Sequence, residues 1–219
     1  MDIDKVKIYR ITHIENIPHI LQHGITHKDS PNRNQNYRNI GDKSLIDTRN
    51  KREVNIDNGE IDLVNNNTSI ILGNYIPFYF GVRMPMLYVA QHGGNFVDQA
   101  TSPADIIYLA CSLNKLILSD IDFYFTDGHA TDMMTSFYDK TKINELVNII
   151  DWSAIKSSYW GGDENLNVKR KKQAELLISG DVPPDLIIGF GCYSESARNK
   201  IISIGVTEEK VKVIPNAYY

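Results

Sequence analysis

The segment KRKKQAELLISG (169–180) sets one carboxylate, Glu175, between four cations and a short apolar run. A glutamate that enters an apolar strand needs a partner, because a buried charge without one is costly. A carboxylate so placed can accept hydrogen bonds and stabilise a developing positive charge. Cations at 169–172 would favour its charged form. Taken alone, a surface glutamate is the plainer reading. His129 lies in a DGHA turn (127–130) directly after an aromatic stretch. An imidazole titrates near neutrality and can take a proton from a reacting group; its plainer role is a local backbone hydrogen bond. His13 stands where VKIYRIT (6–12) meets HIENIPHILQHG, with Asn16 close by. A helix starting there would offer amides to an anion.

These groups need elements to hold them. VKIYRIT alternates and predicts a strand. Ile14, Ile17, Ile20 and Leu21 share a helical face, with Pro18 in the first turn and Gly24 as the stop. Strands are predicted at 76–80, 106–111, the aromatic stretch before 127, AELLI, 186–192 and 211–215, and helices at 85–92, 141–150 and 194–205. In a strand, Glu175 shares a face with Gln173 and Leu177, while Ala174 and Leu176 share the other. Residues 26–69 are polar and predicted irregular, with an Asn-rich run at 65–67. Seven cations against three acids between 28 and 52 leave two readings for this stretch, a solvated loop or a flexible, positively charged cover over a binding site. Residues 157–172 read as a second, glycine-bearing loop.

Composition excludes several classes. The 219 residues carry a net charge of −4, so the molecule as a whole has no nucleic-acid-coat signature, although its basic stretches can form a local track. No apolar run is long enough to span a bilayer. The charged N-terminus has no signal core, and the expectation is a cytoplasmic protein. Cys111 and Cys192 are expected reduced and buried. No CxxC or HExxH spacing occurs, so no metal is predicted.

Four stretches in order, YRITHIENIPHILQHGI (9–25), YIPFYFGVRMPML (75–87), DGHA (127–130) and KRKKQAELLI (169–178), resemble the DarT-type DNA ADP-ribosyltransferase toxins. The resemblance implies an α+β, ADP-ribosyltransferase-like fold: two packed central sheets forming a split NAD-binding cleft, with short helices and long loops, over a single domain. It implies transfer of ADP-ribose from NAD to a base in single-stranded DNA, thymine first among them, by the toxin of a toxin–antitoxin pair. Glu175 maps to the family's catalytic glutamate, His129 to its catalytic-region histidine and His13 to the histidine at the NAD end. The family's loop arginine maps to Arg49, with Arg52 as the alternative. Asn16, Arg83 and Phe80 are the further candidates for NAD, Phe80 as one ring of an aromatic cluster that could stack on nicotinamide. Met84 stands where many members carry serine.

Single-stranded nucleic acid needs a cationic track and exposed rings. Lys169 and Arg170 with the 28–52 stretch supply the first; Tyr159, Trp160 and Tyr37 supply the second. The 157–172 loop is the expected recognition loop. The implied partner is a macrodomain antitoxin that removes the mark, and the chain is expected to be monomeric. Guanine, RNA or protein remain alternative targets, and a non-catalytic nucleic-acid-binding module is the alternative class.

Overall fold

The computed structural model describes residues 2–60, 68–94, 97 and 99–219; the Asn-rich run at 65–67 lies outside the described residues. In chain order the elements are β1 (Lys7–His13), α1 (Ile17–His23), α2 (Lys43–Lys51), β2 (Glu53–Asn55), β3 (Ser69–Ile71), β4 (Tyr75–Tyr79), α3 (Pro85–His92), β5 (Ile106–Ser112), α4 (Leu113–Ile117), β6 (Phe123–Thr126), β7 (Phe137–Tyr138), α5 (Leu146–Ile149), α6 (Trp152–Lys156), α7 (Leu166–Lys172), β8 (Glu175–Ser179), β9 (Ile187–Cys192), α8 (Glu195–Ile204) and β10 (Val211–Val213).

Eight strands join in the order β10-β9-β5-β1-β4-β8-β6-β7, and β2 and β3 form a separate pair. β1 pairs with β5 along its whole length, from Lys7↔Ser112 to His13↔Ile106. It meets β4 at one position only, Tyr9↔Tyr79. The two expected sheets are therefore two four-stranded halves hinged at one residue pair, with the split between β1 and β4. Alternation along β1 sends Ile8 into a core with Phe78, Leu109, Leu176 and Phe125, and Ile11 into a second core with Tyr79, Leu87 and Tyr108. A smaller third cluster gathers Ile56, Ile70, Leu72, Ala130, Phe137 and Leu177 under the β2–β3 pair. Each such buried side chain stabilises the fold by roughly 1.5–3 kcal/mol.

The helix after β1 begins as a 3-10 turn, Ile14–Asn16, and continues as α1 with Pro18 in its first turn. Gly24 ends it at φ +75, and Ile25 then exchanges two 2.9 Å backbone hydrogen bonds with Val182. Several amides at this helix start are already committed or missing. Glu15 N–H donates to His13 Nδ1, Ile17 N–H to Ile14 O, and Pro18 has none.

Three predicted stretches differ. The 26–69 stretch contains α2 and β2. Its helix escaped notice because Leu45 and Ile46 are its only apolar anchors and none of its residues is buried. Asp42 caps it, accepting from Leu45 N–H at 3.1 Å. The stretch expected to be a loose cover is also stapled: Asn16 accepts from Arg38 N–H and donates to Arg38 O, and Asp181 holds His27 N–H and Ser30 Oγ. The 141–150 stretch breaks into a 3-10 turn, Lys140–Glu145, and the short α5. The last part of the 157–172 loop is α7, so its four cations radiate around a helix instead of leading into a strand.

Candidate active site

Glu175 opens β8 and is fully buried. Its carboxylate accepts from Arg49 Nη1 at 2.9 and 3.2 Å and from Ala130 N–H at 3.0 Å. Its own N–H donates to Thr126 Oγ1 at 2.9 Å. The predicted alternation holds, since Ala174 and Leu176 enter the main core and Leu177 the third cluster on the Glu175 side. The cation at this carboxylate is Arg49 from α2, 126 residues away in sequence, and not any of residues 169–172. Arg52 engages Leu72 N–H through its carbonyl instead. Tyr79 faces Glu175 across the β4–β8 ladder, where burial and then the Glu175 charge raise its phenol above its ordinary value.

The DGHA turn is fixed from below by α7. Arg170 is buried, and its Nη1 donates to Asp127 Oδ1 and Oδ2 at 3.1 and 3.2 Å. Its carbonyl accepts His129 N–H at 3.0 Å. A Cβ at Gly128 would lie 2.4 Å from Arg170 Nη1, so only glycine lets the guanidinium under the turn. The His129 ring sits at the surface of this mount, Nδ1 2.8 Å from Thr131 Oγ1. Burial lowers its imidazole pKa; the Glu175 charge opposes that shift and the Arg49 charge adds to it. His129 is thus within electrostatic reach of the Glu175–Arg49 pair, and the three predicted catalytic residues converge.

The parting between β1 and β4 opens into a cavity of about 460 Å³. Arg10, Lys28, Arg33 and Arg49 line it together with Asn16, His19, His27, Tyr37 and Tyr75, and among the described residues no Asp or Glu does. Its floor is apolar, with Ile20, Ile25, Leu72, Ile76 and Leu109. Arg10 reaches across the split to Pro77 O at 2.8 Å. Arg49 Nη2 is buried and has no hydrogen-bond partner among the described residues. A cationic cavity with an apolar floor suits a ligand that carries phosphates and flat rings. Sequence reasoning missed Arg10, His19 and His27. Arg10 did carry a signal, being a charged residue inside an alternating β-branched strand.

Residues 9–219 match the family model described as ssDNA thymidine ADP-ribosyltransferase, DarT. The chain belongs to the DarT family. A DNA ADP-ribosyl transferase of Escherichia coli O127:H6 is 33% identical over 195 residues, covering 89% of this chain and 83% of that protein. A fusion of DNA ADP-ribosyl transferase with DNA ADP-ribosyl glycohydrolase from Thermosipho africanus is 31% identical, covering 96% of this chain and 48% of the fusion. The DarT of Thermus sp. 2.9 superposes with a TM-score of 0.78 in its complex with ADP-ribosylated ssDNA, at 27% identity over 98% of this chain and 96% of that one. Its complex with NAD+ gives 0.73 at 26% identity, covering 98% of both chains. This chain is an NAD-dependent DNA ADP-ribosyltransferase with the mixed α+β fold of that family.

Not every residue that the DarT resemblance suggested lines the split. Asn16 does, although its amide is spent on Thr12, Arg38 and Asn34. His13 points from the opposite face of β1 into a second, polar cavity with Arg38, Asn39 and Asp105. It is buried, and burial lowers its pKa while Glu15 opposes the shift. Phe80 and Arg83 line a third cavity, Phe80 packing edge-on against Trp152. Met84 is buried in the second core, where it fills space that a capping serine would leave. Trp160 is half-buried, donates to Tyr219 Oη at 2.7 Å and carries Lys169 Nζ 5.4 Å above its ring. Tyr159 is exposed. Arg170 is committed to the DGHA turn. Among the described residues no His, Cys, Asp and Glu cluster could hold a metal, and no helix is long and apolar enough to cross a membrane. Both cysteines are free and buried.

Proposed function

We propose that this chain moves ADP-ribose from NAD to thymine in single-stranded DNA with the Arg49–Glu175 pair at the reaction centre and NAD in the split between β1 and β4. The observation that carries this reading is a buried carboxylate whose arginine partner lines a cavity with four cations and, among the described residues, no acid. Arg10, Lys28 and Arg33 would neutralise the pyrophosphate, and an acceptor on the dinucleotide would satisfy Arg49 Nη2. The complex of the Thermus relative with NAD+ supports the dinucleotide.

The bond from the ribose to nicotinamide breaks, and nicotinamide departs with the electron pair. Positive charge develops on the ribose, and Glu175 stabilises it. Thymine N3 then bonds to the sugar carbon, and the N3 proton becomes acidic as that bond forms. Glu175 already accepts three hydrogen bonds from Arg49 and Ala130. His129, kept neutral by burial, is therefore the acceptor of that proton. Tyr159, Trp160 and Lys169 form the recognition surface for DNA, and the 26–72 stretch, stapled at His27, Ser30 and Arg38, covers NAD. The chain works as a monomer in the cytoplasm, and the partner is a macrodomain antitoxin that removes the mark. The glycohydrolase half of the Thermosipho fusion supports such a partner.

Mass spectrometry of short oligonucleotides after incubation with protein and NAD tests this reading. A single-stranded DNA should gain one ADP-ribose, located on thymine by fragmentation, and Glu175→Ala should abolish it. Duplex DNA and RNA should stay unmodified. Equal labelling of RNA, or labelling that persists in Glu175→Ala, would overturn the reading.

A further inference from the structure

The third cavity, about 650 Å³, lies past the hinge of the sheet. Lys5, Lys7, Arg83, Lys156 and Lys172 line it, with no Asp or Glu among the described residues, in a chain whose net charge is −4. Gathering five like charges costs Coulomb energy that a counter-charge would return. Among the described residues only Lys5 of these five has an acidic partner, Asp2 at 3.2 Å. Lys7 and Lys156 make no ion pair among the described residues. Lys172 is 2% exposed, and its ammonium bonds only carbonyls, Ile155 O at 2.8 Å and Val82 O at 3.5 Å. Burial and then Arg83 push its pKa down to about 8. Arg83 Nε is buried without a partner. Arg83 itself sits at φ +53, a costly conformation for a side-chain-bearing residue, and two tyrosines clamp it there. Its N–H donates to Tyr108 Oη and its carbonyl accepts from Tyr219 Oη.

The place of this cavity gives it a use. Tyr9, on its wall, pairs with Tyr79, and Tyr79 pairs with Glu175. Two strand spacings, about 10 Å, separate that wall from the catalytic carboxylate. Lys172 approaches from the other side, just ahead of Glu175 in the chain. The NAD cavity opens from the opposite end of the same hinge. A strand that delivered a base to Glu175 and His129 from this side of the hinge would carry a neighbouring phosphate past the cavity.

We propose that the third cavity seats a backbone phosphate of the single-stranded DNA next to the nucleotide being modified. This rests on the single-stranded DNA reading above. Lys172 and Arg83 form the fixed back of the seat, and Lys7 and Lys156, both exposed, form its rim.

The test is a scan in which each phosphate of a substrate oligonucleotide is replaced in turn by a neutral methylphosphonate. A charge-assisted hydrogen bond to phosphate is worth about 1.5–3 kcal/mol. One position should therefore raise the KM for DNA roughly tenfold or more in the wild-type protein. In the double variant Lys7→Gln/Lys156→Gln that penalty should shrink several-fold. In Lys210→Gln/Lys212→Gln, with the same charge change away from the cavity, it should stay. The proposal is overturned if no position carries such a penalty, or if both double variants keep it equally. It is also overturned if millimolar inorganic phosphate binds the cavity while the scan is flat, since the cavity then takes free phosphate only. If the unmodified oligonucleotide gains no ADP-ribose at all, the single-stranded DNA reading fails first and takes this one with it.

Discussion

Arg49→Ala removes the partner of a carboxylate that has no contact with solvent. Breaking a buried pair from one side costs about 3–5 kcal/mol, because the other charge stays buried. About 1 kcal/mol is returned, since Arg49 Nη2 no longer lies buried without an acceptor. The Ala130 N–H bond to Glu175 remains. The net loss is about 2–4 kcal/mol, or a Tm lower by about 6–12 °C for a chain of this size. Glu175→Gln should cost only about 1 kcal/mol, because Arg49 borders the cavity and can be solvated there. In the double variant Arg49→Ala/Glu175→Gln no buried charge is left unpaired. It should be more stable than Arg49→Ala alone, with a coupling energy of at least about 1 kcal/mol. The assay is thermal and urea unfolding of the four proteins without nucleotide. A Tm for Arg49→Ala within about 2 °C of wild type, or additive single effects, would refute the claim that these two side chains hold one another.

Three further outcomes follow from the same geometry. Burial holds the His129 imidazole below its ordinary value of 6.5, so the acid limb of DNA transfer should fall below pH 6.5 and vanish in His129→Ala. On the stability side, the unfolded chain takes up this proton near 6.5 and the folded one only at lower pH. The Tm should therefore drop as pH falls through 6.5 until the folded value is passed, and gain nothing from this group above it. Arg170→Met should leave Asp127 unpaired under the DGHA turn, costing about 2–3 kcal/mol; transfer to DNA should fall while NAD titrations, read by calorimetry, still saturate. Gly24→Ala would force a Cβ to 2.0 Å from Val182 O at φ +75. A loss of more than about 2 kcal/mol in urea unfolding checks it.

Local pattern made much of this fold readable. Alternation in AELLI placed β8, and the same alternation separated Glu175 and Leu177 from Ala174 and Leu176. Proline and glycine marked α1 at both ends. Long-range pairing was not readable. Nothing in KRKK says that a helix turns Arg170 inward to Asp127 and Lys171 outward to Asp151. Nothing in IDTRNKREV says that Arg49, rather than Arg52, crosses 126 residues to Glu175. His13 shows the limit most plainly. Its position beside the first helix was legible, but β1 alternation turns it away from Arg10 and Thr12, and so from the split, into the second cavity.

The helix that carries Arg49 explains why the site and its cover belong together. α2 has no buried residue, and an isolated nine-residue helix is marginal in water. Its propensity cannot hold it in place. It is held by the Asp42 cap, by Lys28 Nζ on Asn50 Oδ1 at 2.6 Å, by close packing of Asn50 on Gly73, and by the ion pair to Glu175. Lys28, Arg49, Asn50 and Gly73 also line the cavity in the split, the first two as cations. An anion bound there would act on the same cations that fasten the helix. A segment with so few apolar contacts sits at the low end of local stability, and a ligand that binds only its folded form stabilises it by mass action. The polar composition of this stretch is then consistent with an ordered structure. Charge takes the place of a core around α2, and Glu175 supplies countercharge to it.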